Sequence, residues 1–334
     1  MTAIPSQMRA VVVRDDTADK SLEIGHVAAP TIADDEVLVK VRAFGVNRAD
    51  LAQRAGHYPA PAGESSILGL EVAGDVIAVG AGVDPLWLHR AVFGLVPGGG
   101  YAEYARLHVS HLMPMSGALT YESAAASAEV FLTAYQALFH IGGLVQGGAA
   151  LVHAGASGVG TAAIQLAKAA GCNIAVTVGS DDKVQACQAL GADIAVNYKH
   201  GDWAGVLAAA QPTGFSVIVD PVAADYIGKD LQVLALDGRI VVLAMMGGRK
   251  VPELDLAVMF KKRGQLICST LRNRHNAYKA ELLAGFEQRF GSMLRDGTLQ
   301  AQIASVLPWQ QIEQAHQLLA SNAIVGKIVM TIND

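Results

Sequence analysis

The stretch Ala150-Leu-Val-His-Ala-Gly-Ala-Ser-Gly-Val-Gly160, with Thr161–Ala170 after it, decides how this chain is read. Ala150–His153 is a short apolar run of the kind that forms a buried strand. The glycine loop Gly155-Ala-Ser-Gly-Val-Gly160 follows directly, and the alanine-rich Thr161–Ala170 has helical composition. Strand, loop and helix in that order nearly reproduce the dinucleotide-binding fingerprint, with Ser157 at its middle glycine. The first glycine permits a tight turn and the last lets helix and strand pack closely. The helix N-terminus then offers unpaired N–H groups and the positive end of its dipole to a pyrophosphate. Gly155, Ala156, Ser157, Gly158, Val159 and Gly160 are therefore candidate cofactor contacts. A serine-hydrolase elbow fails here because Val159 stands where its last glycine belongs. A short-chain reductase fails because none of the 8 tyrosines has a lysine four residues later.

Outward from this loop, apolar runs alternate with helical stretches. Strands are expected at Ala150–His153, Ile174–Val178, Ile194–Val196, Val217–Val219, Ile240–Ala244 and Leu266–Ser269, which predicts an α/β domain with a doubly wound parallel sheet. No Asp, Glu, Lys or Arg occurs between Glu129 and Lys168. That length would suit a membrane helix, but Gly142-Gly143, Gly147-Gly148 and interspersed Gln and His residues break it into helix, turn, strand and loop. Before it, Ala10–Arg14, Val37–Val41, Val72–Val79 and Ala91–Val96 read as strands, with Gly56–Gly63 and Pro97–Gly100 as loops. These predict a small β-rich, barrel-like domain. After Arg274, a helix around Tyr278–Phe290, a final helix over Pro308–Ala320 and a strand at Ile328–Ile332 are expected.

At 334 residues the chain exceeds one ordinary hydrophobic core, so two domains are expected. Hydrophobic residues at 52% against 16% charged exclude extensive disorder. A net charge of −5 gives no support to a nucleic-acid or polybasic membrane surface, and the local Lys261-Lys262-Arg263 run reads as a solvated loop. The 3 cysteines, Cys172, Cys187 and Cys268, form no CxxC pair and suggest a reducing, cytoplasmic compartment. The opening Met-Thr-Ala-Ile-Pro-Ser-Gln-Met-Arg lacks the basic-then-apolar pattern of a secretory signal.

Several strings carry a family resemblance. They are Asn47-Arg-Ala-Asp50 with Gln53 and Gly56-His-Tyr58, Ile67-Leu-Gly-Leu-Glu71, Leu95-Val-Pro-Gly-Gly-Gly100, Phe131-Leu-Thr-Ala134, the glycine loop itself, Ala235-Leu-Asp-Gly-Arg239 and Gly326-Lys-Ile-Val329. Together they resemble the zinc-free quinone oxidoreductases of the medium-chain dehydrogenase/reductase superfamily, those related to zeta-crystallin, with the tumour-suppressor-inducible branch nearest. The resemblance implies a GroES-like catalytic domain over 1–126 completed by 270–334, and a Rossmann NADPH-binding domain over 127–269. It also implies a homodimer, with the edge strand Leu266–Ser269 a candidate interface.

Zinc alcohol dehydrogenases of the superfamily hold their catalytic metal with two cysteines and a histidine. The matching positions here are Asn47, Leu70 and Glu129, and the four-cysteine structural lobe is missing, so no zinc is expected. The first-domain histidines His26, His57, His89, His108 and His111 show no ligand spacing. A quinone is a strong electrophile, and its reduction needs alignment and a hydrogen bond or proton rather than a Lewis acid. The resemblance implies Tyr58 as a donor to the developing oxyanion and Asn47 near the nicotinamide or acceptor, against the plainer readings of a loop-edge tyrosine and a turn asparagine. It implies Thr133, Met245 and Asn322 as cofactor contacts. Asp220-Pro-Val-Ala223 departs from the family, which has glycine at the last of these positions.

NADPH is expected over NADH. NAD enzymes of this fold place Asp or Glu after the second strand, where this chain has Gly179, followed by Ser180 and Lys183 as partners for a 2′-phosphate. Tyr198 resembles the family tyrosine that lies against that phosphate. Asp181 and Asp182 oppose this unless they face solvent, as expected at a helix start. Reduction of α,β-unsaturated carbonyls and a cofactor-bound, non-catalytic crystallin-like role are the alternative functions.

Overall fold

The computed structural model describes residues 5–14, 17 and 20–333. The first four residues of the N-terminal stretch read above lie outside them. The chain forms two compact units, one running to Glu129 and resuming at Arg272, the other spanning Val130–Leu271.

The first unit begins with β1 (Gln7–Val13), β2 (Leu22–Ala28), β3 (Glu36–Val46), β4 (Glu71–Val79), β5 (Ala91–Leu95), β6 (Tyr104–His108) and β7 (Leu112–Pro114). The second contains β8 (Ala149–His153), β9 (Asn173–Val178), β10 (Ile194–Asn197), β11 (Phe215–Asp220), β12 (Leu234–Val242) and β13 (Gln265–Cys268). The chain then returns to the first unit with β14 (Ile303–Pro308) and β15 (Lys327–Thr331).

In the second unit all six strands are parallel, in the order β10-β9-β8-β11-β12-β13. The order reverses direction between β8 and β11, the topological switch point where doubly wound sheets bind ligands. Every residue of β8 is buried, as a central strand covered on both faces requires. Leu151, Ile218, Ile240, Ile227 and Trp203 share one core cluster beneath the helices. Removing a fully buried side chain such as Ile218, for instance by Ile218→Ala, costs roughly 2–5 kcal/mol.

In the first unit a seven-stranded sheet runs β14-β15-β3-β4-β5-β7, with β6 also paired to β3, and β1 and β2 form a separate hairpin. β3 is long enough to pair with β4, β6 and β15 along its length. That lets the returning C-terminal strand complete a sheet begun at the N-terminus. Its core gathers Val37, Val39, Phe44, Val72 and Trp309.

Four strands escape the sequence reading: β2, β6, β7 and β14. Each alternates half-buried and exposed residues or is short, so none stands out as an apolar run. The expected helix over Pro308–Ala320 begins later. Pro308 is the extended last residue of β14, Trp309–Gln311 is a 3₁₀ turn, and the α-helix is Ile312–Ala320. The expected Tyr278–Phe290 helix is α-helical over Asn276–Phe286 and passes into a π-helical turn at Glu287–Gly291. Among the described residues no helix is long and apolar enough to cross a membrane.

Candidate active site

In the second unit, β8 leads into Ala154, whose φ of 55° turns the chain sharply. Gly155 N–H then donates to the Thr177 carbonyl of β9 at 3.0 Å. A Cβ on Gly155 would lie 2.4 Å from Val176 Cβ, and one on Gly160 would lie 2.5 Å from the Gly155 carbonyl oxygen. Both glycines are thus demanded by close packing of loop on strand and helix on loop. Ser157 caps the helix Gly158–Ala169, its Oγ accepting from Gly160 N–H at 3.0 Å. Its own hydroxyl hydrogen is left to donate elsewhere. The N–H groups of Gly158 and Val159, in the first turn, have no acceptor four residues back. These residues fit a dinucleotide phosphate.

At the end of β9, the Tyr198 phenol lies over Gly179. A Cβ there would meet the Tyr198 oxygen at 2.7 Å. Ser180 caps the helix Asp181–Ala189, accepting from Lys183 N–H at 3.4 Å. The Asp181 carboxylate is exposed and accepts from Asn197 Nδ2 at 2.8 Å, and Asp182 is exposed too. Thr133 is half-buried on the helix Ala128–Tyr135. Asp220 Oδ1 accepts from Val222 N–H at 2.6 Å and Ala223 N–H at 2.9 Å, closing the turn that carries Pro221. Ala223 and Ala224 there hold φ of 60° and 50°. The departure from the family glycine therefore keeps a left-handed backbone at a non-glycine residue, a cost of about 1–2 kcal/mol. Gly247 N–H bonds the Val222 carbonyl at 2.8 Å, which fixes the neighbouring loop bearing the exposed Met245.

Beneath the glycine loop lies a buried polar group that sequence reasoning missed. His153 bonds Thr177 Oγ1 at 2.8 Å and Asp230 Oδ1 at 2.7 Å, with Trp203 and Tyr226 edge-on to its ring. Burial raises the Asp230 pKa to about 6 against the pull of His153.

In the first unit, Asn47 opens the helix Arg48–Arg54, and its N–H donates to Asp50 Oδ2 at 2.8 Å. Its side chain sits in a buried charge network. Asn47 Nδ2 donates to Glu71 Oε1 at 3.0 Å, while Lys327 Nζ donates to Asn47 Oδ1 at 2.5 Å, to Val46 O at 2.8 Å and pairs with Glu71 Oε1 at 2.8 Å. Gly45 makes room for this, since a Cβ there would fall 2.3 Å from Glu71 Oε1. Glu71 Oε2 accepts from Glu129 N–H at 2.9 Å. The Glu129 pKa rises to about 7 through loss of water and then the charge of Glu71. Asp50, raised to about 6 by burial, accepts from Tyr101 OH at 2.9 Å, and Tyr101 OH lies 3.2 Å from His316 Nε2.

Tyr58, half-buried, has a hydroxyl with no hydrogen bond among the described residues. Its pKa is raised by burial and then by the charge of Glu129, with Arg272 pulling the other way. Arg272, unnoticed in the sequence, stands 5.5 Å over the Tyr58 ring. It donates from Nε to Pro97 O at 2.6 Å and from Nη1 to Tyr58 O at 3.4 Å. Lys279 Nζ holds the Arg272 carbonyl at 2.9 Å. Asn322, also in this unit, has φ of 55° and its Oδ1 accepts from Arg48 Nη2.

The positions matching the family zinc ligands do not fit that metal. Leu70 has no lone pair, and the Asn47 oxygen is occupied by the Lys327 ammonium, whose charge would repel a cation. Among the described residues no group of three or more His, Cys, Asp or Glu is arranged to hold an ion.

A GroES-like sheet unit and a parallel nucleotide-fold unit, the second with a glycine loop at its switch point, define a dehydrogenase-type architecture. The comparisons agree. Residues 33–117 match the alcohol dehydrogenase GroES-like domain, and residues 158–287 match the family described as zinc-binding dehydrogenase. The chain is 29% identical over 328 residues to the quinone oxidoreductases of Lama guanicoe and Homo sapiens, covering 97% of each chain. Among solved structures, an NAD-dependent alcohol dehydrogenase is 30% identical with a TM-score of 0.85, covering 98% of this chain and 100% of that one. A Pseudomonas syringae quinone oxidoreductase is 27% identical with a TM-score of 0.84, covering 97% and 99%. The chain belongs to the medium-chain dehydrogenase/reductase superfamily. Membership implies an oxidoreductase using a nicotinamide cofactor.

Proposed function

We propose that the protein is a cytoplasmic NADPH-dependent quinone oxidoreductase that works without zinc. The observation that carries this reading is the Lys327 ammonium bonded to Asn47 and Glu71 within the frame where relatives hold a metal. A site already neutralised by a protein cation has no use for a Lewis acid, and a quinone needs none. The cofactor, when bound, supplies a hydride. Gly155–Gly160 are positioned to receive its pyrophosphate, and Ser180, Lys183 and Tyr198 to receive a 2′-phosphate. Gly179 supports the preference for NADPH because a carboxylate for the ribose hydroxyls is absent there, and the outward Asp181 removes one source of repulsion. Thr133, Met245 and Asn322 are assigned as further cofactor contacts.

Tyr58 is assigned as the donor to the acceptor oxygen, its hydroxyl hydrogen being unclaimed. Asn47 is assigned to the catalytic site, holding the Lys327–Glu71 pair that sets the local charge. We also propose a homodimer through β13, the edge of the parallel sheet. The experiment is steady-state turnover of quinones and α,β-unsaturated ketones with NADPH and with NADH. Quinone turnover with a lower KM for NADPH is expected, and Lys183→Ala should narrow that difference. Equal or better use of NADH, or faster turnover of enones than of any quinone, would overturn the reading.

A further inference from the structure

We propose that Arg272 is a substrate-binding residue whose guanidinium, together with the Tyr58 hydroxyl, receives the acceptor oxygen that gains negative charge on reduction. This rests on the reductase reading above. The geometry begins with a fixed side chain. Nε and Nη1 are committed to Pro97 O and Tyr58 O, the backbones of two loops, and the Arg272 carbonyl is held by Lys279. Arg272 is only 7% exposed, yet its Nη2 is buried with no hydrogen-bond partner among the described residues. It makes no ion pair there either; Asp50, Glu129 and Glu64 act on its charge only through space.

A clamp for two loops would need only the two bonds already made. A buried cationic N–H left unmet is costly unless something arrives to meet it. The group that would meet it must be an acceptor of hydrogen bonds, and preferably anionic. The Tyr58 ring centroid stands 5.5 Å from the guanidinium, and the hydroxyl it carries, unclaimed among the described residues, is the second donor. Two donors, one of them cationic, suit a carbonyl oxygen that becomes an aryloxide better than they suit the starting neutral carbonyl. That difference is what lowers a barrier. A bound reduced nicotinamide would supply the hydride for the quinone and be oxidised by that transfer. One quinone oxygen becomes an aryloxide paired with Arg272, and a proton taken up from solvent completes the hydroquinone.

The test uses Arg272→Gln and Arg272→Lys in the full-length protein. For quinones, kcat/KM should fall ten- to a hundredfold in Arg272→Gln and less in Arg272→Lys, which keeps the charge, with the Kd for NADPH within twofold of wild type in both, while loss of the bonds to Pro97 O and Tyr58 O lowers Tm in both variants. Adding Tyr58→Phe should then cost less than it does in wild type, because both donors serve one oxygen. Independently of turnover, 4-nitrophenolate, a non-reducible aromatic oxyanion under these conditions, should bind the NADP⁺ complex of wild type. Its visible absorption band should shift, and Arg272→Gln should weaken that binding at least tenfold. Equal losses of NADPH and acceptor affinity, fully additive effects with Tyr58→Phe, or no dependence of nitrophenolate binding on Arg272 would overturn the proposal. Failure of wild type to reduce any acceptor while still binding nitrophenolate through Arg272 would instead defeat the functional reading alone.

Discussion

Asn47 illustrates how one residue's chemistry depends on its neighbours. As an isolated asparagine it offers two donors and an acceptor. Here its oxygen is taken by Lys327 and one amide hydrogen by Glu71, so it acts by fixing the charge around it. Tyr58 is the opposite case, with its hydroxyl uncommitted. Tyr58→Phe should lower kcat for quinones while leaving NADPH affinity within about twofold, since the lost bond belongs to the acceptor. A lost oxyanion donor costs up to roughly 3 kcal/mol, so a rate reduction of up to about a hundredfold is expected in stopped-flow NADPH oxidation. Unchanged rates with several quinones would return Tyr58 to a loop-edge role.

At the level of the element, the switch-point loops are supported by the buried group His153, Thr177 and Asp230 under β8 and β9. Asp230 carries a pKa of about 6 in the folded protein against 3.8 as its ordinary value. The unfolded chain therefore releases this proton first as pH rises. Asp230 contributes its full stability below pH 3.8 and loses it progressively as pH climbs to about 6, a change of roughly 3 kcal/mol. Asp230→Asn keeps an acceptor for His153 and abolishes the titration. Urea denaturation at pH 4.5 and 6.5 should show a smaller fall in stability for the variant than for wild type. Equal falls would show that Asp230 is ionised throughout. In the adjacent turn, Ala223→Gly relieves a left-handed alanine while adding freedom to the unfolded chain. Its Tm should equal or exceed that of wild type, and a clear drop would mean the alanine methyl is needed for packing.

For the whole molecule, the parallel sheet ends at β13, whose outer edge pairs with no strand among the described residues. The helix Leu256–Lys262 just before it leaves Leu256 66% and Phe260 85% exposed. Exposed apolar side chains on the helix that leads into an open edge strand favour a second copy of the chain there. Sedimentation should give a dimer for wild type and a smaller species for Phe260→Glu. A monomeric wild type would remove the proposed interface. Metal analysis of the active protein should find no stoichiometric zinc, and chelators should leave quinone turnover intact; loss of activity on chelation would reinstate a metal.

The sequence by itself determined the alternation of buried strands and helices, because parallel strands covered on both faces must be apolar throughout. It also determined the glycine loop, because Gly155 and Gly160 stand where any side chain would strike Val176 or the loop's own carbonyl. Strands β2, β6, β7 and β14 were illegible because short or half-exposed strands carry too little apolar pattern, their role being set by their partners. The charge network of Asn47, Glu71 and Lys327 was illegible as a unit because its members lie far apart along the chain. Motif strings could flag each residue but not their contact. Arg272 lies in none of those strings, and its contacts with Tyr58 and Pro97 join residues likewise far apart along the chain. Hydrogen bonds and charges act through space at a few ångströms, so only the tertiary structure decided which of these groups meet, β15 pairing with β3 to bring Lys327 to Asn47.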